Sequence, residues 1–246
     1  MSRGVFVTGT DTGIGKSIVS ATLLAALNGS GWRAAGMKPV ASGCEPGSTS
    51  PRNADAELLI VHSTGTPDYS AVNPYALPDA VAPHLAAAAA GVEIRLEPIL
   101  AGFAALSTNT DCIVVEGVGG WAVPLSPALM QADLVRALGT PVVLVVGLRL
   151  GCINHALLSA RAIAADGCAL IGWIANSIDP AMACVDENIA TLRERLPAPC
   201  LGVLPFAASP SPPALAAHLA AAVDLLCAKR SPATPSPPSP PLEGEG

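Results

Sequence analysis

Short apolar runs alternate with Ala- and Leu-rich segments along most of the chain. Several of the runs are apolar at every position, which is typical of strands covered on both faces, as in a parallel sheet. The predicted strands are residues 5–9, 33–40, 111–117, 141–147, 170–176 and 200–206. The predicted helices are residues 16–28, 54–62, 85–90, 96–106, 129–138, 154–165, 184–196 and 213–229. This alternation predicts βαβ units and hence an α/β, doubly wound fold with a mostly parallel sheet.

The end of the chain departs from this pattern. Six of the last sixteen residues, "SPATPSPPSPPLEGEG", are proline, and the segment offers almost nothing to a core. We therefore expect residues 230–246 to be disordered and functionally silent. Residues 1–229 are then expected to form one domain, because a chain of 246 residues with 51% hydrophobic and 13% charged residues can bury a substantial core.

Charge and cysteine content exclude several kinds of partner. The formal net charge is −6 and no Lys/Arg cluster is present, which argues against binding to nucleic acid or to an anionic membrane. The first residues run directly into a strand pattern and the longest apolar runs are shorter than a membrane span, so we expect a cytoplasmic protein. Seven scattered cysteines without a CxxC spacing argue against a disulfide framework and a zinc site.

The stretch "GTDTGIGKS", residues 9–17, lies between the first predicted strand and the first predicted helix. A strand, a Gly-rich turn and a Lys-Ser pair that opens a helix together surround phosphate oxygens with backbone N–H groups. Lys16 is placed to reach the β- and γ-phosphates, and Ser17 to ligate magnesium. The usual loop has four residues between the first Gly and the Gly-Lys pair, whereas Gly9 and Gly15 bracket five. The sequence thus predicts nucleotide binding on a P-loop NTPase-like three-layer sandwich.

Glu116 ends a predicted strand and is followed by Gly117, Gly119 and Gly120. The carboxyl ends of parallel strands face the ligand crevice, so Glu116 is placed as a Walker-B-type magnesium ligand would be.

Asp55 and Lys38 are ambiguous from the sequence alone. Asp55 begins a predicted helix, where an acid is equally well explained by its interaction with the helix dipole. Lys38 ends the second predicted strand; it is placed either to stabilise a transferring phosphoryl group or to extend from the surface into solvent. Position does not decide between these interpretations.

Eight segments, in order across residues 3–206, resemble the dethiobiotin synthetase family of ATP-dependent carboxylating ligases. They are "FVTGTDTGIGKS", "AGMKPVASG", "RNADA", "VNPY", "VVEGVGGWAVPL", "PVVLVVGLRLGCINHALL", "GWIANSI" and "APCLGVLP". The long phosphate loop is a feature of that family. The resemblance implies that 7,8-diaminononanoate, CO2 and MgATP are converted to dethiobiotin, ADP and phosphate through a carbamate and a carbamic-phosphoric anhydride.

The resemblance also implies residue roles and a homodimer with the substrate site at the subunit interface. Lys16 and Lys38 are implied as catalytic residues, Ser17, Asp55 and Glu116 as magnesium ligands, and Thr12 and Ser42 as substrate contacts. The neighbouring subunit is expected to contribute Cys152, Ile153 and Asn154. The implied ATP contacts are Gly13, Ile14, Gly15, Lys16, Ser17, Ile18, Asp55, Glu116, Gly117, Val118, Gly119, Asn176, Ser177, Pro205, Phe206 and Ala207.

Two other functions compete with this interpretation. One is a deviant P-loop ATPase switch of the partitioning type, which carries a signature Lys five positions before the loop Lys; here that position is Asp11. The other is a catalytically inactive regulatory domain, against which the intact set of Lys16, Lys38, Asp55 and Glu116 argues.

Overall fold

A computed structural model of the chain describes residues 3–47 and 51–228. The segment 230–246, which we expect to be disordered, lies outside these residues. Residue 229, which we expect to end the domain and its last helix, also lies outside them. The strands are β1 (Arg3–Gly9), β2 (Ala34–Met37), β3 (Val40–Ser42), β4 (Tyr75–Leu77), β5 (Cys112–Glu116), β6 (Pro124–Ser126), β7 (Leu129–Met130), β8 (Val142–Leu148), β9 (Leu170–Ser177) and β10 (Cys200–Leu204).

Within the described residues, six strands form one parallel sheet in the order β10-β9-β8-β1-β5-β2. β1 is therefore an interior strand, and later strands of the chain lie on both sides of it. All the carboxyl ends of these strands point to the same edge, which is where such folds bind ligands. The predicted α/β doubly wound sheet is confirmed.

Helices cover both faces of the sheet. Val5 and Val7 of β1 belong to one buried apolar cluster, while Phe6 between them belongs to a second cluster on the opposite face. This arrangement gives the three predicted layers. The helices are α1 (Lys16–Gly29), α2 (Ala54–Val61), α3 (Tyr69–Val72), α4 (Pro83–Ala89), α5 (Leu96–Ser107), α6 (Gln131–Leu138), α7 (Cys152–Ala165), α8 (Val185–Arg195), α9 (Pro212–Leu215), a 3-10 turn (Ala216–Leu219) and α10 (Ala220–Ala228). None of the helices in the described residues is long and apolar enough to cross a membrane.

The predicted strand 33–40 is wrong in one respect, because the chain leaves the central sheet after Met37. Pro39 has no N–H to donate to a ladder, and β3 beyond it pairs with β4 in a separate two-stranded sheet. Lys38 is therefore the first residue after β2, and it lies at the ligand edge of the sheet. The predicted helix 129–138 also begins late, at Gln131, because Leu129–Met130 pairs with Pro124–Ser126 as a hairpin.

Asn53 caps α2. Its side-chain oxygen accepts hydrogen bonds from the backbone N–H groups of Asp55 at 3.0 Å and Ala56 at 3.3 Å. Its own N–H donates to the Tyr69 hydroxyl at 2.8 Å. The cap satisfies N–H groups that have no partner inside the helix, and it fixes Asp55 in the first turn.

Replacing Asn53 with Ala is expected to lower the free energy of unfolding by about 1 kcal/mol, because the cap hydrogen bonds are lost. Asn53→Asp serves as the matched control, since a carboxylate oxygen can accept the same bonds. Urea denaturation of the three proteins measures the difference. Equal destabilisation by Ala and Asp would show that the cap contributes nothing.

Candidate active site

A cleft of about 570 Å³ lies at the carboxyl edge of the sheet. It is bounded by the phosphate loop, the residues after β2, the start of α2 and the loop after β5. Its lining consists of Thr12, Gly13, Gly15, Lys16, Ser17, Ile18, Lys38, Ala41, Ser42, Asn53, Ala54, Asp55, Leu58, Glu116, Val118 and Gly119. Most of the residues singled out from the sequence therefore converge on one cavity.

The phosphate loop is held in its shape by glycine conformations and by one side chain from β9. Gly13 and Gly15 have φ values of 73° and 82°, in the left-handed region that favours glycine. A Cβ atom on Gly15 would lie 2.2 Å from the Asn176 side-chain nitrogen. That nitrogen donates to the carbonyl oxygen of Ile14 at 2.8 Å, and Asn176 is buried. The Asn176 side chain thus stabilises the conformation of the phosphate loop.

Lys16 is buried at the floor of the cleft. Its Nζ donates to the carbonyl oxygen of Asp11 at 2.9 Å, within the same loop. Burial, together with the nearby Lys38 ammonium, lowers the pKa of Lys16 from 10.5 to about 8. An anion at this position would offset both effects, so the electrostatics of the loop favour a phosphate group.

Lys38 lies between two carboxylates. Its Nζ is 2.5 Å from Glu116 Oε1 and 2.9 Å from Asp55 Oδ2, and it also donates to the carbonyl oxygen of Gly117 at 3.3 Å. Burial by itself favours the neutral amine, but the two carboxylates raise the pKa of Lys38 above its ordinary value. Burial likewise disfavours ionised Asp55, yet the Lys38 charge leaves the pKa of that carboxyl lowered. Lys38 and Asp55 are both stabilised in their charged forms.

Sheet register explains why these side chains meet. Met37 is paired with Val115 on neighbouring parallel strands, so Lys38 and Glu116 follow them side by side at the same edge. Asp55 reaches Lys38 from the first turn of α2. The structure therefore resolves the ambiguity of the sequence for Lys38 and Asp55, since Lys38 is not a solvated surface lysine and Asp55 is not explained by the helix dipole alone.

The donor set suits a hard divalent cation. Ser17 Oγ donates to Glu116 Oε1 at 2.8 Å, and Glu116 Oε2 is buried without a hydrogen-bond partner in the described part of the chain. Hydroxyl and carboxylate oxygens are ligands that Mg²⁺ accepts, and the ion commonly takes its other ligands from phosphates and water. No cluster of three or more His, Cys, Asp or Glu able to hold a metal occurs within residues 3–47 and 51–228.

Some predicted contacts lie outside the cleft lining. Ser177 and Pro205–Ala207 follow the paired ends of β9 and β10, beside the phosphate loop. Cys152, Ile153 and Asn154 open α7; the Cys152 side chain is buried and its N–H donates to the carbonyl oxygen of Arg149. Asn53 and Leu58 line the cleft but were not predicted as site residues, because only the tertiary contact of α2 with the phosphate loop brings them there.

Comparisons with known proteins agree with this geometry. A family model described as "AAA domain" matches residues 3–214. The MinC:MinD cell division protein complex of Aquifex aeolicus aligns with a TM-score of 0.55 and 14% identity, covering 95% of this chain and 98% of that chain, which shows the fold alone. Fold and site together define a P-loop protein that binds a nucleotide.

Curated relatives identify the family. The chain is 62% identical over 201 residues to "ATP-dependent dethiobiotin synthetase BioD" of Xanthomonas euvesicatoria, covering 82% of this chain and 90% of the relative. It is also 62% identical over 200 residues to the protein of the same name from Xylella fastidiosa strain 9a5c, covering 81% and 88%. The chain belongs to the ATP-dependent dethiobiotin synthetase family.

Nucleotide binding is expected to take up a proton at Lys16. With a free pKa of about 8, the amine is about half protonated at pH 8, and a bound phosphate raises the pKa so that it becomes fully protonated. Calorimetric titration with ADP in buffers of different ionisation enthalpy should show an uptake of about 0.5 proton at pH 8 and close to none at pH 6.5. The same uptake in Lys16→Gln at saturating ADP would assign the proton to another group.

Proposed function

We propose that the chain catalyses the MgATP-dependent carboxylation and ring closure of 7,8-diaminononanoate with CO2, giving dethiobiotin, ADP and phosphate. The proposal rests on one observation: one cleft is lined by the two lysines and by two carboxylates, namely Lys16, Lys38, Asp55 and Glu116. In the reaction, an amine of the substrate adds to CO2 and loses a proton to form a carbamate. A carbamate oxygen attacks the γ-phosphorus and ADP leaves; the second amine then attacks the carbonyl carbon and phosphate leaves.

ATP is proposed to bind along the phosphate loop. The backbone of residues 13–18 surrounds the phosphates, with the charge of Lys16 beneath them. We propose that the adenine lies near Ser177 and Pro205–Ala207, at the carboxyl ends of β9 and β10. Phe206 is 47% exposed there and offers an apolar surface to the base. Asn176, an ATP contact implied by the resemblance, is proposed to take part in adenine recognition; its side-chain nitrogen also donates to the carbonyl oxygen of Ile14.

The central difficulty of the proposed reaction is that a carbamate and a γ-phosphate repel each other. Catalysis is then mainly positioning and charge stabilisation, and no protein nucleophile is needed. Lys38 keeps its proton at neutral pH because its two carboxylates raise its pKa, so it is available as a cation where the anions meet. Ser17, Asp55 and Glu116 would hold magnesium, which would supply charge neutralisation for the phosphate groups.

The diamine is proposed to occupy the part of the cleft lined by Thr12 and Ser42, across from the phosphate loop helix. Its carboxylate is proposed to extend to the N-terminal end of α7, near Cys152–Asn154, in a neighbouring subunit of a homodimer, because helix N-termini favour anions. We propose a cytoplasmic location for this enzyme, because its seven scattered cysteines have no CxxC spacing and do not form the pattern of a disulfide framework.

The partitioning-type switch has no supporting contact in the cleft. Where such an ATPase carries its signature Lys, the Asp11 carboxylate forms an ion pair with Arg149.

Incubation of the protein with MgATP, bicarbonate and 7,8-diaminononanoate tests the proposal directly. The expected result is the cyclic urea product, detected by mass, with ADP released in equal amount and only in the presence of the diamine. ATP hydrolysis that is independent of the diamine, without cyclic product, would overturn it.

Lys38→Gln is expected to lower the rate of product formation by about 100-fold or more, since removal of one charge-stabilising donor typically costs that much. ADP affinity should change less than about threefold, because Lys16 and the loop backbone remain. Arg33→Gln is the control: its ion pair with Asp111 is on the surface, so the rate should not change. Circular dichroism should verify folding, as Lys38→Gln leaves buried Glu116 without its cation. Wild-type turnover in Lys38→Gln would exclude the role.

A further inference from the structure

Residues 117–121 form a loop without regular secondary structure, and this loop forms one wall of the cleft. Val118 and Gly119 line the cavity, and the carbonyl oxygen of Gly117 accepts a hydrogen bond from Lys38 Nζ at 3.3 Å. The loop passes close to the phosphate loop, since a Cβ atom on Gly120 would lie 3.5 Å from the carbonyl oxygen of Gly9. A segment with three glycines in five residues has high conformational freedom, so its single conformation must be fixed by contacts from outside it.

Gln131 makes several of those contacts, beside the Thr8 hydroxyl, which donates to the carbonyl oxygen of Gly120 at 3.3 Å, and the Gly117 N–H, which donates to the carbonyl oxygen of Val7 at 2.9 Å. Gln131 Oε1 accepts a hydrogen bond from the Val118 N–H at 2.9 Å, and its Nε2 donates to the carbonyl oxygen of Gly120 at 2.7 Å. The same Nε2 lies 3.5 Å from the carbonyl oxygen of Trp121. One side-chain amide therefore bonds to the loop on both sides of Gly119. It accepts from one backbone N–H and donates to a backbone carbonyl oxygen, as a neighbouring β-strand would.

The path of the chain explains how Gln131 reaches the loop. After residue 121 the chain forms the β6–β7 hairpin and returns, and the Gln131 N–H donates to the carbonyl oxygen of Val123 at 2.9 Å. Gln131 then opens α6 with only 1% of its surface exposed. A buried amide is costly unless its donors and acceptors are satisfied, so the side chain is confined to this arrangement.

Gln131 bonds to Val118, Gly120 and Trp121, and the glycines beside these residues lie near Lys38 and Thr12. Gly117 is the third acceptor of Lys38, and Gly119 lies beside Thr12, its Cβ position 3.7 Å from the Thr12 hydroxyl. We infer that Gln131 is a positioning residue for the diamine side of the cleft, which acts by fixing the 117–121 loop; this inference rests on the proposed function. It touches neither the phosphate loop backbone nor the adenine end of the cleft.

Gln131→Met tests the inference, because methionine fills a similar volume without the hydrogen bonds. We expect kcat/KM for the diamine to fall by about tenfold or more, since small displacements of positioning groups carry penalties of that order. The dissociation constant for ADP should remain within about twofold of the wild type, because the side-chain hydrogen bonds of Gln131 go to Val118, Gly120 and Trp121 and not to residues 9–18. Gln131→Glu, which retains an acceptor for Val118 but loses the donor to Gly120, should show the same split if the Met variant does not fold.

Asn28→Leu provides the matched control. The Asn28 side chain also bridges two backbone groups, donating to the carbonyl oxygen of His62 at 2.8 Å and accepting from the Ala34 N–H at 2.9 Å, but at the opposite edge of the sheet. Its removal should lower the melting temperature and leave kcat/KM unchanged. An equal kinetic loss in both variants would mean that general destabilisation, not positioning, causes the effect. Unchanged diamine kinetics in a folded Gln131 variant would also overturn the inference.

Hydrogen exchange separates this inference from the proposed function. Amide exchange measured by mass spectrometry should be faster across residues 117–121 in Gln131→Met than in the wild type, and unchanged across residues 9–17. A wild-type protein that forms no cyclic urea refutes the proposed function. Unchanged exchange in residues 117–121 refutes the positioning role whether or not the enzyme is active.

Discussion

The active-site edge depends on a buried ion pair between the ends of two neighbouring strands. Lys38 and Glu116 are both buried, and either charge alone would be strongly unfavourable in that environment. With Asp55 as a second carboxylate, the ion pairs of Lys38 offset part of the cost of burial. The pair joins the residue after β2 to the last residue of β5, and both side chains line the cleft.

The charges of the cleft are close to balance before any ligand binds. Lys16 and Lys38 face Asp55 and Glu116, and the pKa values of the two lysines are shifted in opposite directions. Burial, and to a smaller extent repulsion from Lys38, lowers the pKa of Lys16. The carboxylates raise the pKa of Lys38. A site arranged in this way does not attract a polyanion by net charge alone. This balance fits the proposed binding of a nucleotide together with Mg²⁺, in which the cation would pair with the carboxylates and the phosphates with the lysines.

Three side-chain amides fix the irregular segments around the cleft. Asn53 caps α2, Asn176 supports the phosphate loop, and Gln131 holds the 117–121 loop. Each bonds to backbone groups that no helix or strand satisfies, so each replaces missing secondary structure at a place where the cleft needs an open backbone. The Gly-rich segments remain accessible to a ligand without losing a defined conformation.

Local patterns in the sequence determined the strands of the central sheet, most helices and the phosphate loop, because apolar periodicity and glycine spacing act over a few residues. They also placed Glu116 at the ligand edge. Only the tertiary structure placed Lys38 between Asp55 and Glu116 and revealed Gln131 and the support given by Asn176. Lys38 meets Glu116 across 78 residues, and Asn176 meets Ile14 across 162. Such contacts depend on strand order and register, which a local pattern does not specify.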